Sequence, residues 1–177
     1  MSLTSTFNPY LSQSYSLIYL DMDGVIANYE KMVFELYDKH VVANTKGDWW
    51  AESIFKHKIF ENLELMPGAE KLISVVLNSG LDVEILSSAG WGPTRDEACR
   101  QKMTWLENHD LGYLPVTFTT NKIEKSNHAL ASSILIDDHL ECINPFIDKG
   151  GCGILHKDAD TTINTLNSIL FATRRYA

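Results

Sequence analysis

The stretch Leu17-Ile18-Tyr19-Leu20-Asp21-Met22-Asp23-Gly24-Val25-Ile26-Ala27 decides how this chain is read. An apolar run of strand character ends in two carboxylates two residues apart. A carboxylate beside a core must be paired or bound to a cation. Period-two spacing sends the Asp21 and Asp23 side chains to the same side of an extended backbone. Gly24 allows a sharp exit that a side chain would obstruct. Such a pair suits one carboxylate attacking an electrophile while its neighbour moves protons, with a cation offsetting the charge.

Working outward, short apolar strands alternate with helical stripes. Strands are expected at Ser16–Leu20, Val83–Leu86, Leu114–Phe118, Ile134–Ile136 and Gly153–Leu155. Helical spacing follows at Asn28–His40, from Pro67 to a stop at Gly80, from Thr94 to about His109, between Leu140 and Lys149, and through Ile163, Leu166, Ile169 and Leu170. Thr94 with Glu97 has the spacing of a capping box. Residues 1–15 read as an irregular lead-in, and residues 41–65 as short helices with loops. This alternation predicts an α/β fold of three layers, Rossmann-like, with a mainly parallel five-stranded sheet covered by helices on both faces.

In such sheets, sites lie at the carboxyl ends of the strands. That rule gathers Asp21 and Asp23 from the first strand, Ser87 and Ser88 from the second, and Asp137 and Asp138 from the fourth. Lys122 and Lys125 lie in the segment leading to that strand. Four carboxylates, two hydroxyls and a lysine are expected to face one crevice.

Bulk properties narrow the partners. The 177 residues suit one domain, perhaps with a small insertion, and 45% apolar with 21% charged residues suits an ordinary globular core. A net charge of −8 disfavours extended nucleic-acid binding. Cys99, Cys142 and Cys152 show no metal-ligand spacing and read as thiols of a reducing compartment. No apolar stretch approaches the roughly 20 residues of a membrane span. The start has no signal-peptide pattern. A cytoplasmic protein without membrane attachment is expected.

In order, these residues resemble the four motifs of the haloacid dehalogenase-like (HAD) hydrolase superfamily. Asp21-Met22-Asp23-Gly24-Val25 matches the first motif and Val83-Glu84-Ile85-Leu86-Ser87 the second. Lys125 matches the third, with Lys122 as the alternative. Ile134-Leu135-Ile136-Asp137-Asp138 matches the fourth. Within the superfamily the chain is similar to 5'-nucleotidases of the deoxyribonucleotidase (type C) branch. That likeness rests on Asp21 through Glu30, Phe60 through Ala69, the Leu86-Ser87-Ser88 strand end and Lys102 through Glu107.

The resemblance implies a Mg2+-dependent phosphatase acting through an aspartyl-phosphate. Asp21 would be the nucleophile and Asp23 the general acid and then base. Ser87 would bind the phosphoryl group with the Met22, Ser88 and Ala89 amides, and Lys125 would neutralise it. Asp21, the Asp23 carbonyl, Asp137 and Asp138 would hold the metal, with Asp137 the direct ligand and Asp138 acting beside it. The Gly90-Trp91-Gly92-Pro93 turn is flexible enough to fold over a ligand. Residues 1–27 and 66–177 would form the core domain, and residues 28–65 a small helical cap. Its Tyr29, Phe34, Trp49, Trp50 and Phe55 are either base-stacking surfaces or the cap's own core. The expected partner is a small phosphorylated substrate, a nucleoside monophosphate by resemblance, and a homodimer is allowed for. Other small phosphoesters, a polynucleotide 3'-end and an inactive binding protein are the competing readings.

Overall fold

The computed structural model describes residues 14–37 and 49–174. The lead-in up to residue 13, the end of the first expected helix and the start of the 41–65 segment lie outside them.

Five strands form one parallel sheet in the order β3-β2-β1-β4-β5. They are β1 Leu17–Leu20, β2 Asp82–Ser88, β3 Val116–Thr119, β4 Ser133–Asp137 and β5 Cys152–Leu155. β1 is central, pairing β2 in the register Leu20↔Ile85 and β4 in the register Leu20↔Ile136. Its side chains alternate between two apolar layers, as a strand covered on both faces requires. Ile18 and Leu20 join the larger core with Leu72, Trp105 and Leu166. Tyr19 faces the other way, with Leu86, Leu135, Cys142 and Phe146. Helices α3 Ala69–Leu77, α4 Arg95–Asn108, α5 Leu140–Asp148 and α6 Ala159–Arg174 supply those layers. The expected three-layer α/β architecture is therefore the observed one, with strand ends shifted by one or two residues.

Two local expectations change. The helix after Pro67 starts at Ala69, because Gly68 takes a left-handed turn at φ 80 as its N-cap. The Thr94–Glu97 capping box does not form. Thr94 has helical φ and ψ and makes no side-chain cap bond. Its hydroxyl instead accepts the Trp50 indole N–H at 2.9 Å, while Glu97 accepts from Arg100 and Gln101.

The segment from Asn28 leaves and returns at one point. Ala27 and Leu65 form an antiparallel bridge, and the Asn28 and Met66 amides donate to the Glu64 and Ile26 carbonyls. Between them lie α1 Tyr29–Tyr37, α2 Trp49–Phe55 and a 3-10 turn at Ile59–Asn62. The turn before this excursion is built on one carbonyl: Met22 O accepts the Val25, Ile26 and Ala27 amides.

Candidate active site

The parallel register puts the acids at one height. Asp21 follows Leu20, whose partner is Ile136, and the Asp21 amide donates to Ile136 O at 3.1 Å. Asp21, Asp137 and Asp138 each present a carboxylate oxygen within 4.8 Å of the others. Lys125 arrives from the 3-10 turn Ile123–His128 and is buried between them. Its Nζ lies 2.8 Å from Asp21 Oδ2 and 2.7 Å from Asp137 Oδ2. Of the two lysines weighed, Lys125 therefore meets the acids. Lys122 is one-third exposed and lies 3.7 Å from Glu141.

A second lysine completes the site, at a position that the sequence pattern marks only as part of a helix. Lys102 of α4 is fully buried. Its ammonium donates to Asp23 Oδ2 at 2.6 Å, Ser87 Oγ at 2.9 Å and Ser88 O at 2.9 Å. The same nitrogen sits 4.5 Å from the centre of the Phe60 ring, within cation-π range. A signal for it exists in the sequence. Ala98, Lys102, Trp105 and Leu106 fall on one helical stripe, so a charge occupies a buried face.

The electrostatics follow from this arrangement. Four carboxylates against two ammonium groups leave two net negative charges in a largely buried place. Burial pushes the Asp21 pKa up, but the Lys125 and Lys102 ammonium groups and the Met22 amide bring it below the ordinary carboxylate range. Asp23 lies above that range through burial and the Asp21 charge, against the pull of Lys102. Burial and the same Asp21 charge raise Asp137. Burial, Asp21 and Asp137 push Asp138 up to about 7. Each of these raised values is a carboxylate lacking compensation.

The fit of a divalent cation can be tested on the donors themselves. Asp21 Oδ1 and Asp138 Oδ1 are buried acceptors without a hydrogen-bond partner. Uncompensated negative charge, hard oxygen donors and orphaned lone pairs together fit magnesium. The two acids of the fourth motif differ in their partners. Asp137 already accepts from Lys125 at Oδ2 and from the His139 amide at Oδ1, whereas Asp138 keeps Oδ1 free. The Asp23 side chain pairs with Lys102 through Oδ2, leaves Oδ1 without a partner and lies outside the three-carboxylate cluster.

The remaining expected residues divide. Ser87 is buried, with its hydroxyl proton free to donate because Lys102 occupies it as an acceptor. Ser88 shares a hydrogen bond with Thr119 Oγ1 at 2.9 Å, turning its side chain toward β3. Ala89 does not serve as expected: its amide donates to Thr119 O at 3.0 Å, which removes it as a phosphate donor. The Met22 side chain is buried, and its amide lies against Asp21. His139 Nε2 is 3.5 Å from Asp138, and burial lowers its pKa.

A cavity of about 310 Å³ opens on these groups. Asp21, Ser87 and Lys125 form its floor, and Tyr29, Trp50 and Phe60 stand above them. Tyr29 stacks on Phe60 with ring centres 5.4 Å apart. Trp49 packs edge-on against Trp50 and Tyr37, and Phe34 and Phe55 are exposed and do not line the cavity. A larger groove between α3 and α6 has no ionisable residue in its lining. A further cavity of about 280 Å³, lined by Asp23, Asp138, His139 and Lys157 among others, adjoins the same acids.

No family profile matches the chain, and neither does any curated protein sequence. Solved structures do match. A hydrolase from Streptococcus pneumoniae TIGR4 superposes with TM-score 0.56 at 14% identity, over 87% of this chain and 99% of that one. A HAD-superfamily hydrolase from Ehrlichia chaffeensis gives TM-score 0.52 at 13% identity, over 90% and 98%. A HAD-family enzyme from Bacteroides thetaiotaomicron, in complex with magnesium and inorganic phosphate, gives 0.52 at 12%, over 81% and 95%.

Proposed function

The fold is that of HAD hydrolases, and we propose that the chain is a magnesium-dependent phosphatase of phosphate monoesters, with nucleoside monophosphates as its substrate class. One observation carries this reading: an ionised Asp21, clamped by Lys125 and holding one unpartnered oxygen, sits in a cavity floor beside a hydroxyl donor and a carboxyl group of raised pKa. These are the parts that displacement at phosphorus needs.

A carboxylate oxygen of Asp21 attacks phosphorus, and the bond from phosphorus to the ester oxygen breaks. The Asp23 carboxylic acid gives its proton to the departing oxygen. Asp23, now a carboxylate, accepts a proton from a water that attacks the aspartyl-phosphate. Inorganic phosphate leaves and Asp21 is restored. Ser87, Lys125 and Lys102 supply donors and positive charge where negative charge builds on the phosphoryl oxygens. Asp21, Asp137, Asp138 and the Asp23 carbonyl would hold magnesium, which would offset the excess negative charge and polarise the phosphoryl group. The magnesium and phosphate bound by the Bacteroides neighbour support magnesium as the cation.

The nucleotide preference rests on the aromatic wall. Tyr29, Trp50 and Phe60 offer faces and edges to a planar base above a phosphate-sized floor. Residues 28–65 act as the cap that provides this wall. Free cysteines among the described residues accord with a cytoplasmic setting.

Phosphate release from a panel of nucleoside monophosphates, sugar phosphates, an aryl phosphate and a 3'-phosphorylated oligonucleotide tests the reading. Activity should require magnesium and vanish in Asp21→Asn. Activity that survives this substitution in a clean preparation refutes the mechanism. An aryl phosphate turned over as well as every nucleotide refutes the substrate class.

A further inference from the structure

The described part of the cap is fastened to α4. Gln101, fully buried, accepts the Phe60 amide at 3.3 Å and donates to Ile54 O at 2.8 Å. The Trp50 indole donates to Thr94, and the Trp105 indole donates to Leu63 O at 2.8 Å. Indole and amide groups held in this way cannot leave without exposing or orphaning their partners. One side of the cavity mouth is therefore set.

The rim next to Trp50 is built differently. Gly90 lines the cavity, and a Cβ placed there would meet the Trp50 ring at 3.5 Å. Its carbonyl is held by Arg95 at 2.9 Å, and that guanidinium also ties down Thr119 O and Phe118 O. Gly90 is thus an anchored rim. The next residue is Trp91, and it is 79% exposed. Gly90 and Gly92 on either side have φ 75 and 76, and an added Cβ on Gly92 would meet nothing within 4 Å. A large indole left in water, one residue beyond an anchored rim, has a reason to bury itself, and no hydrogen bond or ring contact among the described residues holds its side chain where it is.

We propose that Trp91 is a specificity-determining residue, whose side chain folds over the mouth and stacks on the purine or pyrimidine base of the substrate. The proposal rests on the nucleotide reading above. It differs from a mobile cap: the moving element is the Trp91 side chain, and the cap aromatics are the fixed wall.

Steady-state kinetics of Trp91→Ala test it. Base-on-indole stacking predicts a KM for nucleoside monophosphates raised about tenfold, with kcat little changed. The KM for ribose 5-phosphate and the inhibition constant for inorganic phosphate should stay as in the wild type, because neither carries a base. Trp91→Phe should restore most of the affinity. In the non-turning Asp21→Asn background, a nucleoside monophosphate should quench indole emission, and Trp91→Phe should remove most of that quench. An equal rise in KM for ribose 5-phosphate, or an unchanged KM for nucleotides, overturns the proposal. If the wild type already treats ribose 5-phosphate and nucleotides alike, the nucleotide reading itself falls. If it prefers nucleotides and Trp91→Ala keeps the whole preference, only the role of Trp91 falls.

Discussion

Lys102 and Asp23 are 79 positions apart in the chain and meet at 2.6 Å, with the lysine side chain wholly buried and the aspartate side chain a quarter exposed. Asp23, the proton carrier of the proposed mechanism, is thus held in place by a cation that also touches Ser87. Lys102→Met removes the charge and keeps much of the volume. We expect kcat to fall about 100-fold or more, as for loss of a donor at a developing charge. Breaking a buried pair on one side should also cost about 3–5 kcal/mol of stability. Lys102→Met combined with Asp23→Asn should recover much of that stability and none of the activity. Denaturant melts with initial rates separate the two effects, and a fully active Lys102→Met enzyme would show that the pair is only a strut.

Asp138 gives a pH test of the metal site. Its folded pKa of about 7 lies above its ordinary value, so the metal-free fold favours the protonated form. That contribution is complete below about pH 4 and is lost as pH rises through about 7. Asp138→Asn cannot ionise, so in chelator at pH 8 it should be more stable than the wild type by about 2–4 kcal/mol, with the gap closing toward pH 4. Magnesium should raise the melting temperature of the wild type at pH 8 and leave Asp138→Asn nearly unmoved. Parallel melting curves for the two proteins across this pH range would exclude an uncompensated Asp138.

Gly24 has φ 78, and a Cβ there would overlap the Asp138 carboxylate. Gly24→Ala combines backbone strain with displacement of a candidate metal ligand. It should cost about 1–3 kcal/mol in stability and weaken magnesium activation at least tenfold. Titrating activity against magnesium reads the second effect. An unchanged half-saturation point would mean that Asp138 contributes little to binding the ion.

Gln101→Leu should loosen the cap without touching the floor of the site. It leaves the Phe60 amide and Ile54 carbonyl without partners, at a cost of about 2 kcal/mol or more. Proteolysis should then cut between residues 37 and 69 sooner than in the wild type. Cleavage at the wild-type rate would mean that the indole bonds of Trp50 and Trp105 hold the cap unaided.

The floor of the site was legible because acids and hydroxyls at strand ends have no structural reason to be there. Asp21, Asp23, Ser87, Lys125, Asp137 and Asp138 all lie at or beside the carboxyl edge of the sheet, where the alternating pattern pointed. Lys102 escaped because its strand-end partners lie far away in the chain, and only the apolar company of Ala98, Trp105 and Leu106 betrays it. The Thr94 box failed for a related reason. A cap pattern is a local preference, and the Trp50 indole, 44 residues distant, took the hydroxyl. Ala89 was lost to the sheet, since its amide continues the β2–β3 ladder for one more residue.

The central position of β1 has a consequence for the quality of any refolded preparation. Asp21 stands level with Asp137 only because Leu20 pairs Ile136 and the Asp21 amide reaches Ile136 O. Sliding β1 by one residue would keep a parallel ladder but turn Ile18 and Leu20 to the wrong layer and aim Asp21 away from Lys125. Such a species would carry a helix-and-sheet signature close to that of the native protein and have no catalytic floor. The fraction of chains that titrate with magnesium therefore measures correct strand alignment, which a spectrum of secondary structure cannot do.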